Sequence, residues 1–293
     1  MIEDIKKLKI GRIETNVDLK KYCTYKVGGI GKLLVIPDSE KCLIKLIEYI
    51  KKNNIKYKIL GNGSNLIFKD FDGILIKLDK FDYLNINDTV VTVGAGYNLQ
   101  KLAIKVSKLG LSGLEFATGI PGTVGGAVYM NAGAYKTDMG YIVSEVKVIT
   151  KDLEIKTLYN KELNYHYRDS LFQHGEYIIL EAKLVLKRGN KNEIMDIIEN
   201  RKQRRLMSQP LEYPSAGSVF RNPEGDFAGR LIEDIGYKGK EIGGARVSEK
   251  HANFIINYNN ATGDDVINLI NDIKKSVKEK YNIELKCEQE IVE

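Results

Sequence analysis

Apolar and polar positions alternate along this chain in two rhythms, and each rhythm predicts its own elements. Residues 2–10 read as a short amphipathic helix, and KLLVI at 32–36 reads as a strand that Pro37 and Asp38 end. Leu43, Ile44, Ile47 and Ile50 then recur at helical spacing on one face. KYKIL and GILIKL (73–78) read as further strands. The first of them runs into the polar loop Gly61-Asn62-Gly63-Ser64-Asn65, closing a β-α-β unit with that loop at the carboxyl end of its second strand. VVTV at 90–93 and a helix at about 98–109 follow, the latter with Leu99, Leu102, Ala103 and Val106 on one side. Gly94-x-Gly96 between them lacks a third glycine and reads as a turn.

Further on, VSEVKVIT and EIKTLY predict a hairpin across residues 151–153, and 177–188 a long strand. Composition shifts at Gly189-Asn190, before a highly charged helix at 191–208. Beyond Pro210 and Pro214 the pattern is loop, helix, strand (NFIIN), helix (264–280) and a final strand. Thr262 with Asp265 three residues later forms a capping pair for that last helix. Strands outnumber helices without regular β-α alternation, so the expected class is α+β. The composition shift puts a domain boundary near 189.

One stretch breaks both rhythms. LSGLEFATGIPGTVGGAVYMNAGAY, residues 111–135, is dense in glycine without being repetitive enough for a linker. A glycine-rich turn feeding a helix would present bare N–H groups to a phosphate-bearing cofactor. A tightly packed loop accounts for the same residues. Gly61–Asn65 offers successive N–H groups that can nest an anion, without the lysine of a triphosphate loop.

The charge balance narrows the class. The net charge of +6 is spread over many lysines with no accompanying arginine/aromatic stripe, which favours a solvated surface over a nucleic-acid face. The N-terminus lacks the apolar core of a signal peptide, and no run is long enough to span a membrane, so a cytoplasmic location is expected. Cys23, Cys42 and Cys287 are odd in number and far apart, and His166, His174 and His251 are the only histidines. Neither a disulfide framework nor a metal centre is expected.

Three more segments could carry chemistry. Tyr165-His166-Tyr167-Arg168-Asp169-Ser170 sets an arginine among aromatics, fit to fork a carboxylate or else to form a surface loop. Residues 214–223 are small in a bulky, charged region, leaving room beside Ser218, which has no His/Asp partner nearby in sequence. Glu288 lies near the end of the last predicted strand, where a glutamate ordinarily faces solvent.

Taken in order, LGNGSNLI, GIPGTVGGAVYMNAGAY, YRDS, AGSVFRNP and IGGARVSEKHANFIIN resemble the UDP-N-acetylenolpyruvoylglucosamine reductase family, in its shorter form, over nearly the whole chain. The resemblance implies a two-lobed FAD-binding domain of the vanillyl-alcohol oxidase type (1–188, lobes about 1–80 and 81–188). A smaller α/β substrate domain (189–293) follows. It implies non-covalent FAD, NADPH as hydride donor and a UDP-sugar substrate, with no nucleic acid, membrane or obligatory oligomeric partner. Arg168, Ser218 and Glu288 match the catalytic residues. Gly61, Asn62, Gly63, Ser64 and Asn65 match a cofactor loop. So do Ala117, Thr118, Pro121, Gly122 and Thr123, and then Gly125, Gly126, Ala127, Asn131 and Gly133. Tyr135, Tyr167, Arg201, Arg204, Asn222 and His251 match the substrate side. The chain departs from the family after Glu288, where Gln289-Glu290 replaces a Val-Arg pair. Strand alternation would put Glu288 and Glu290 on one face and Gln289 on the other.

Two other readings compete. A flavoprotein oxidase of the same fold often tethers its flavin through histidine, and none lies between residues 61 and 135. A non-catalytic nucleotide-binding module leaves Arg168, Ser218 and Glu288 without a purpose.

Overall fold

A computed structural model describes residues 1–293. The chain forms two compact units that each gather separate stretches of sequence. The first holds Met1–Thr15, Leu33–Asn62 and Gly73–Lys202; the second holds Asn16–Lys32, Gly63–Asp72 and Gln203–Glu293. Composition changes at 189, but compactness divides the chain elsewhere. Segments 16–32 and 63–72 group with the C-terminal part, and the helix Lys191–Ser208 runs past residue 202.

The first unit is built on two sheets. One is antiparallel with five strands, in the order Ile155–Tyr159, Val143–Ile149, Ile178–Val185, Val90–Gly94, Leu84–Asn87. The expected hairpin is there, with Ile149 opposite Ile155. The other sheet contributes Tyr57–Leu60, parallel to Phe71–Lys77 in the register Tyr57 to Ile74. Its strand order interposes Phe71–Lys77 between Ile30–Pro37 and Tyr57–Leu60, so the two strands of the predicted β-α-β unit are not neighbours. The helix Glu40–Lys52 buries Leu43, Leu46, Ile47 and Ile50, while Ser39 accepts from the Cys42 N–H at its start. Helix Leu99–Lys108 buries Leu99, Leu102, Ala103 and Val106 and is capped by Asn98. These faces share one apolar core that runs from Ile5 to Leu186.

The second unit carries a three-stranded antiparallel sheet, Glu241–Ile242, Ala245–Val247 and Ile255–Asn257, and a parallel pair, Leu66–Phe68 with Glu290–Val292. Helix Gly263–Tyr281 lines its core with Val266, Leu269, Ile270, Ile273 and Val277. The predicted capping pair is present. Thr262 Oγ1 accepts from the Asp265 N–H at 3.1 Å and Asp265 Oδ2 accepts from the Thr262 N–H at 2.8 Å.

Candidate active site

In the first unit the glycine-dense stretch folds as a 3-10 turn (Glu115–Gly119), an extended run, and a helix of six residues, Val124–Tyr129. The helix begins at Val124, so both glycines of the pair lie in its first turn. Its first N–H groups are not bare. Val124 donates to the Tyr97 carbonyl (2.9 Å), Gly125 to Ala95 (2.8 Å) and Gly126 to Thr123 Oγ1 (3.3 Å). The sequence-based expectation of N–H groups free for a phosphate therefore fails at this helix. The physical reason is the turn at 94–98, whose carbonyls reach the helix start first.

The two glycines differ in what they allow. A Cβ on Gly125 would lie 2.9 Å from the Ala95 Cβ and 3.1 Å from its carbonyl oxygen, so close backbone approach requires glycine there. A Cβ on Gly126 would meet only Thr123 Oγ1, at 3.4 Å. Gly126 is exposed between buried Val124 and Ala127, and Pro121 is exposed nearby in sequence. No close contact within the chain requires Gly126 to lack a side chain.

The remaining residues of the stretch fix its shape. Ala117 is buried and its N–H donates to Leu114 O, Thr118 Oγ1 donates to Glu115 O (3.0 Å), and Gly122 O accepts from Leu99 N (3.0 Å). Gly133 pairs with Asp138 in a two-residue ladder. Asn131, 2% exposed, donates from Nδ2 to the His166 carbonyl (2.8 Å) and accepts at Oδ1 from the Gly140 N–H (2.9 Å). Both ends of its amide serve the backbone, which makes it a strut of the fold.

That strut holds the arginine turn. His166 and Asp169 exchange backbone hydrogen bonds at 3.1 Å, and Arg168 at the corner has φ 57°, a left-handed conformation uncommon for arginine. The Ser170 hydroxyl donates to Tyr129 O (2.6 Å), and Gln173 Nε2 donates to Tyr129 O and Arg168 O, both at 3.1 Å. Three side chains thus tie the turn to the end of the glycine-led helix. Asp169 faces His174 (2.8 Å), and the guanidinium of half-buried Arg168 lies 5.5 Å from the centre of the Tyr167 ring. Tyr135 and Arg201, both expected on the substrate side, come together: the guanidinium sits 4.5 Å from the ring centre and the phenol donates to Arg201 O at 3.4 Å. Arg204 lies one turn further along the same helix and is exposed.

The polar loop at 61–65 is shared between the units, with Gly61 and Asn62 in the first and Gly63–Asn65 in the second. Asn62 Nδ2 reaches Pro121 O at 3.5 Å. Gly63 O accepts from Thr24 N (3.3 Å), and Ser64 is half-buried. Asn65 Nδ2 donates to the carbonyl of Glu288 (2.9 Å), while Asn65 O accepts from Glu290 N at 2.9 Å. An asparagine expected at the cofactor therefore braces the segment that carries Glu288.

In the second unit the structure brings together the segments that carry Ser218 and Glu288. Segments 219–221 and 286–288 pair backbone to backbone: Glu288 N donates to Val219 O (2.8 Å) and Arg221 N to Lys286 O (2.9 Å). Asn253, 4% exposed, grips the adjoining Phe220 through both polar atoms, Oδ1 accepting from its N–H (3.0 Å) and Nδ2 donating to its carbonyl (2.8 Å). Asn253 was not among the expected site residues. Its signal was a lone amide in an apolar run, since a buried amide must find partners.

Two expectations change here. The chain bends at Gln289, and the strand begins only at Glu290, so strand alternation does not extend back to Glu288. Gln289 is 5% exposed and hydrogen-bonded inward. Asn222 Oδ1 accepts from Ala228 N (3.1 Å), at the start of helix Ala228–Asp234. His251 stacks on Phe254 (centroids 4.9 Å apart) and its Nδ1 accepts from Asn253 N at 3.2 Å. Burial, with Lys238 adding to it, holds its pKa below the ordinary histidine value.

Comparison with known proteins defines the class first. Residues 31–159 match the FAD binding domain family, so the chain is a flavoprotein of α+β fold. Residues 209–292 match the C-terminal domain of UDP-N-acetylenolpyruvoylglucosamine reductase. The reductase of that name from Anoxybacillus flavithermus is 46% identical over 99% of this chain and 97% of its own length. The one from Bacillus subtilis is 42% identical over 100% and 98%. The crystal structure of UDP-N-acetylenolpyruvylglucosamine reductase from Thermus caldophilus superposes with a TM-score of 0.84 at 35% identity, covering 96% of this chain and 99% of that one. The chain belongs to the UDP-N-acetylenolpyruvoylglucosamine reductase family. Its cofactor is FAD.

Proposed function

We propose that the chain is a UDP-N-acetylmuramate dehydrogenase, which reduces the enolpyruvyl ether of UDP-N-acetylglucosamine to the lactyl ether for peptidoglycan synthesis. The observation that carries this reading is the pairing of the Ser218 segment with the Glu288 segment, two polar residues 70 positions apart held in one small-residue loop region. Bound FAD would supply the hydride chemistry that links NADPH to C3 of the vinyl group. Overall NADPH, one proton and the enolpyruvyl ether give NADP⁺ and the lactyl ether, so C2 must receive a proton.

Each residue then has a task set by charge. Hydride addition at C3 leaves negative charge over C2 and the carboxylate, and preorganised donors stabilise it best. Arg168, always cationic, pairs with the carboxylate, its loop held by Asn131, Ser170 and Gln173. Glu288 in its protonated form donates a hydrogen bond to the same group. Ser218 delivers the proton to C2; an unassisted serine is a weak acid, so the basicity of the carbon it faces drives the transfer. The loops at 61–65 and 117–133 hold the cofactor, with exposed Gly126 as part of the floor. Tyr135, Tyr167, Arg201, Arg204, Asn222 and His251 are assigned to the sugar nucleotide.

The test is stopped-flow kinetics on the two half-reactions. Ser218→Ala should leave flavin reduction by NADPH near the native rate and slow reoxidation by the enolpyruvyl substrate by at least a hundredfold, roughly the range of a lost proton donor. Equal losses in both halves would reject the proton-donor role.

A further inference from the structure

Gln289 is not a solvent-facing neighbour of Glu288. Its Oε1 accepts from the Tyr25 hydroxyl at 3.0 Å, and its Nε2 lies 3.1 Å from Ala216 O, 3.3 Å from Gly217 O and 3.5 Å from Ser218 O. Tyr25 is 0% exposed, and burial pushes its phenol far above the ordinary range, so it remains a proton donor. The three carbonyls can only accept, which fixes the orientation of the Gln289 amide. The amide oxygen must face Tyr25, and the NH₂ must face the three carbonyls.

Three carbonyl oxygens converging on one point repel each other unless a donor sits among them, and that of buried Ala216 would lose its partner. The loop that carries them is anchored at its ends, where Asn257 N donates to Pro214 O and Val219 N to Asn253 O, both at 2.9 Å. Gly217, immediately before Ser218, has φ +74°, a conformation that favours glycine, and a Cβ built on it would meet nothing within 4 Å. On the far side, Asn253 fixes Phe220. Between those anchors, Gln289 is the group that holds 216–218, and it adjoins Glu288 in the chain.

We propose that Gln289, oriented by Tyr25, is a positioning residue that sets Ser218 against Glu288, an inference that rests on the assignment of those two residues above. It is 5% exposed, and its polar atoms are engaged by Tyr25 and the 216–218 carbonyls. Its effect belongs to the half-reaction that needs a proton at C2.

The experiment uses the FAD-loaded protein, NADPH and the enolpyruvyl sugar nucleotide, with both half-reactions followed separately. Gln289→Leu should slow reoxidation at least tenfold and leave flavin reduction within about twofold. Tyr25→Phe, a milder change that frees the amide to turn over, should slow reoxidation severalfold in the same selective way. Gln289→Glu supplies a signature that general destabilisation would not. A neutral carboxyl accepts from Tyr25 and donates to a carbonyl, whereas a carboxylate faces three carbonyl oxygens with like charge. Reoxidation by Gln289→Glu, divided by the native rate at each pH, should therefore rise as pH falls.

Native-like reoxidation in both Gln289→Leu and Tyr25→Phe, with Ser218→Ala slow, would overturn the positioning role alone. A fast Ser218→Ala would overturn the assignment beneath it. If Gln289→Leu does not fold, the other two variants decide: a flat pH ratio in Gln289→Glu or equal slowing of both halves in Tyr25→Phe rejects the proposal.

Discussion

At His251 the hydrogen bond from the Asn253 N–H to Nδ1 requires that nitrogen to be unprotonated, so the proton of the neutral ring sits on Nε2. Burial lowers the pKa, which means the unfolded chain binds a proton more readily than the folded one. The stability this contributes is present above the ordinary value of about 6.5 and is lost as pH falls through the lowered value. Urea unfolding between pH 7 and pH 5 should show a smaller loss for His251→Gln than for the native chain; equal losses would remove His251 from the account. Residue-level features differ in how far the sequence reveals them. The Thr262–Asp265 box was legible because it is closed within four residues. Gln289 was not, because its partners lie at Tyr25 and at 216–218, distances in sequence that no local pattern spans.

Among elements, the glycine-led helix Val124–Tyr129 separates two roles that its sequence presents as one. Gly125→Ala forces a contact at 2.9 Å on Ala95 and should destabilise the protein by about 1–3 kcal/mol in urea unfolding. Gly126→Ala meets no such contact and replaces a poor helix former, so stability without cofactor should be unchanged or higher by up to about 1 kcal/mol. Its expected defect is weaker FAD binding, read by fluorescence titration. Unchanged FAD affinity would take Gly126 out of the cofactor floor. Long periodic elements such as Glu40–Lys52, Leu99–Lys108 and Gly263–Tyr281 were readable from their apolar stripes. Short polar ones such as Leu84–Asn87 and Glu241–Ile242 were not, because they depend on a neighbouring strand and have little pattern of their own.

For the molecule as a whole, the division into units follows pairing between distant segments. Leu66–Phe68 joins Glu290–Val292, and Asn257 Nδ2 donates to the carbonyls of Tyr25 (3.0 Å) and Lys26 (3.2 Å). These bonds draw 16–32 and 63–72 into the C-terminal unit, where a boundary drawn at 189 from composition does not reach them. The FAD assignment makes a prediction at the same scale. Purified protein should be yellow, and acid precipitation should release all of the flavin to the supernatant. Flavin retained in the pellet would mean a covalent link, and colourless protein that cannot be reconstituted with FAD would sink the flavoenzyme reading.

The amino-acid sequence by itself determined the α+β class, the main helices and strands, the capping pair and, through ordered motifs, the family. Each of these is carried by residues near one another in the chain or by their order along it. Tertiary structure alone decided that the N–H groups of Val124, Gly125 and Gly126 are taken by Tyr97, Ala95 and Thr123. It alone decided that Asn131 and Asn65 act as braces, and that the buried Gln289 amide holds three carbonyls. The reason is the same in every case. A polar group's partner is settled by which donor or acceptor reaches it first in the folded chain, and that depends on backbone approach between segments that the linear pattern leaves unordered.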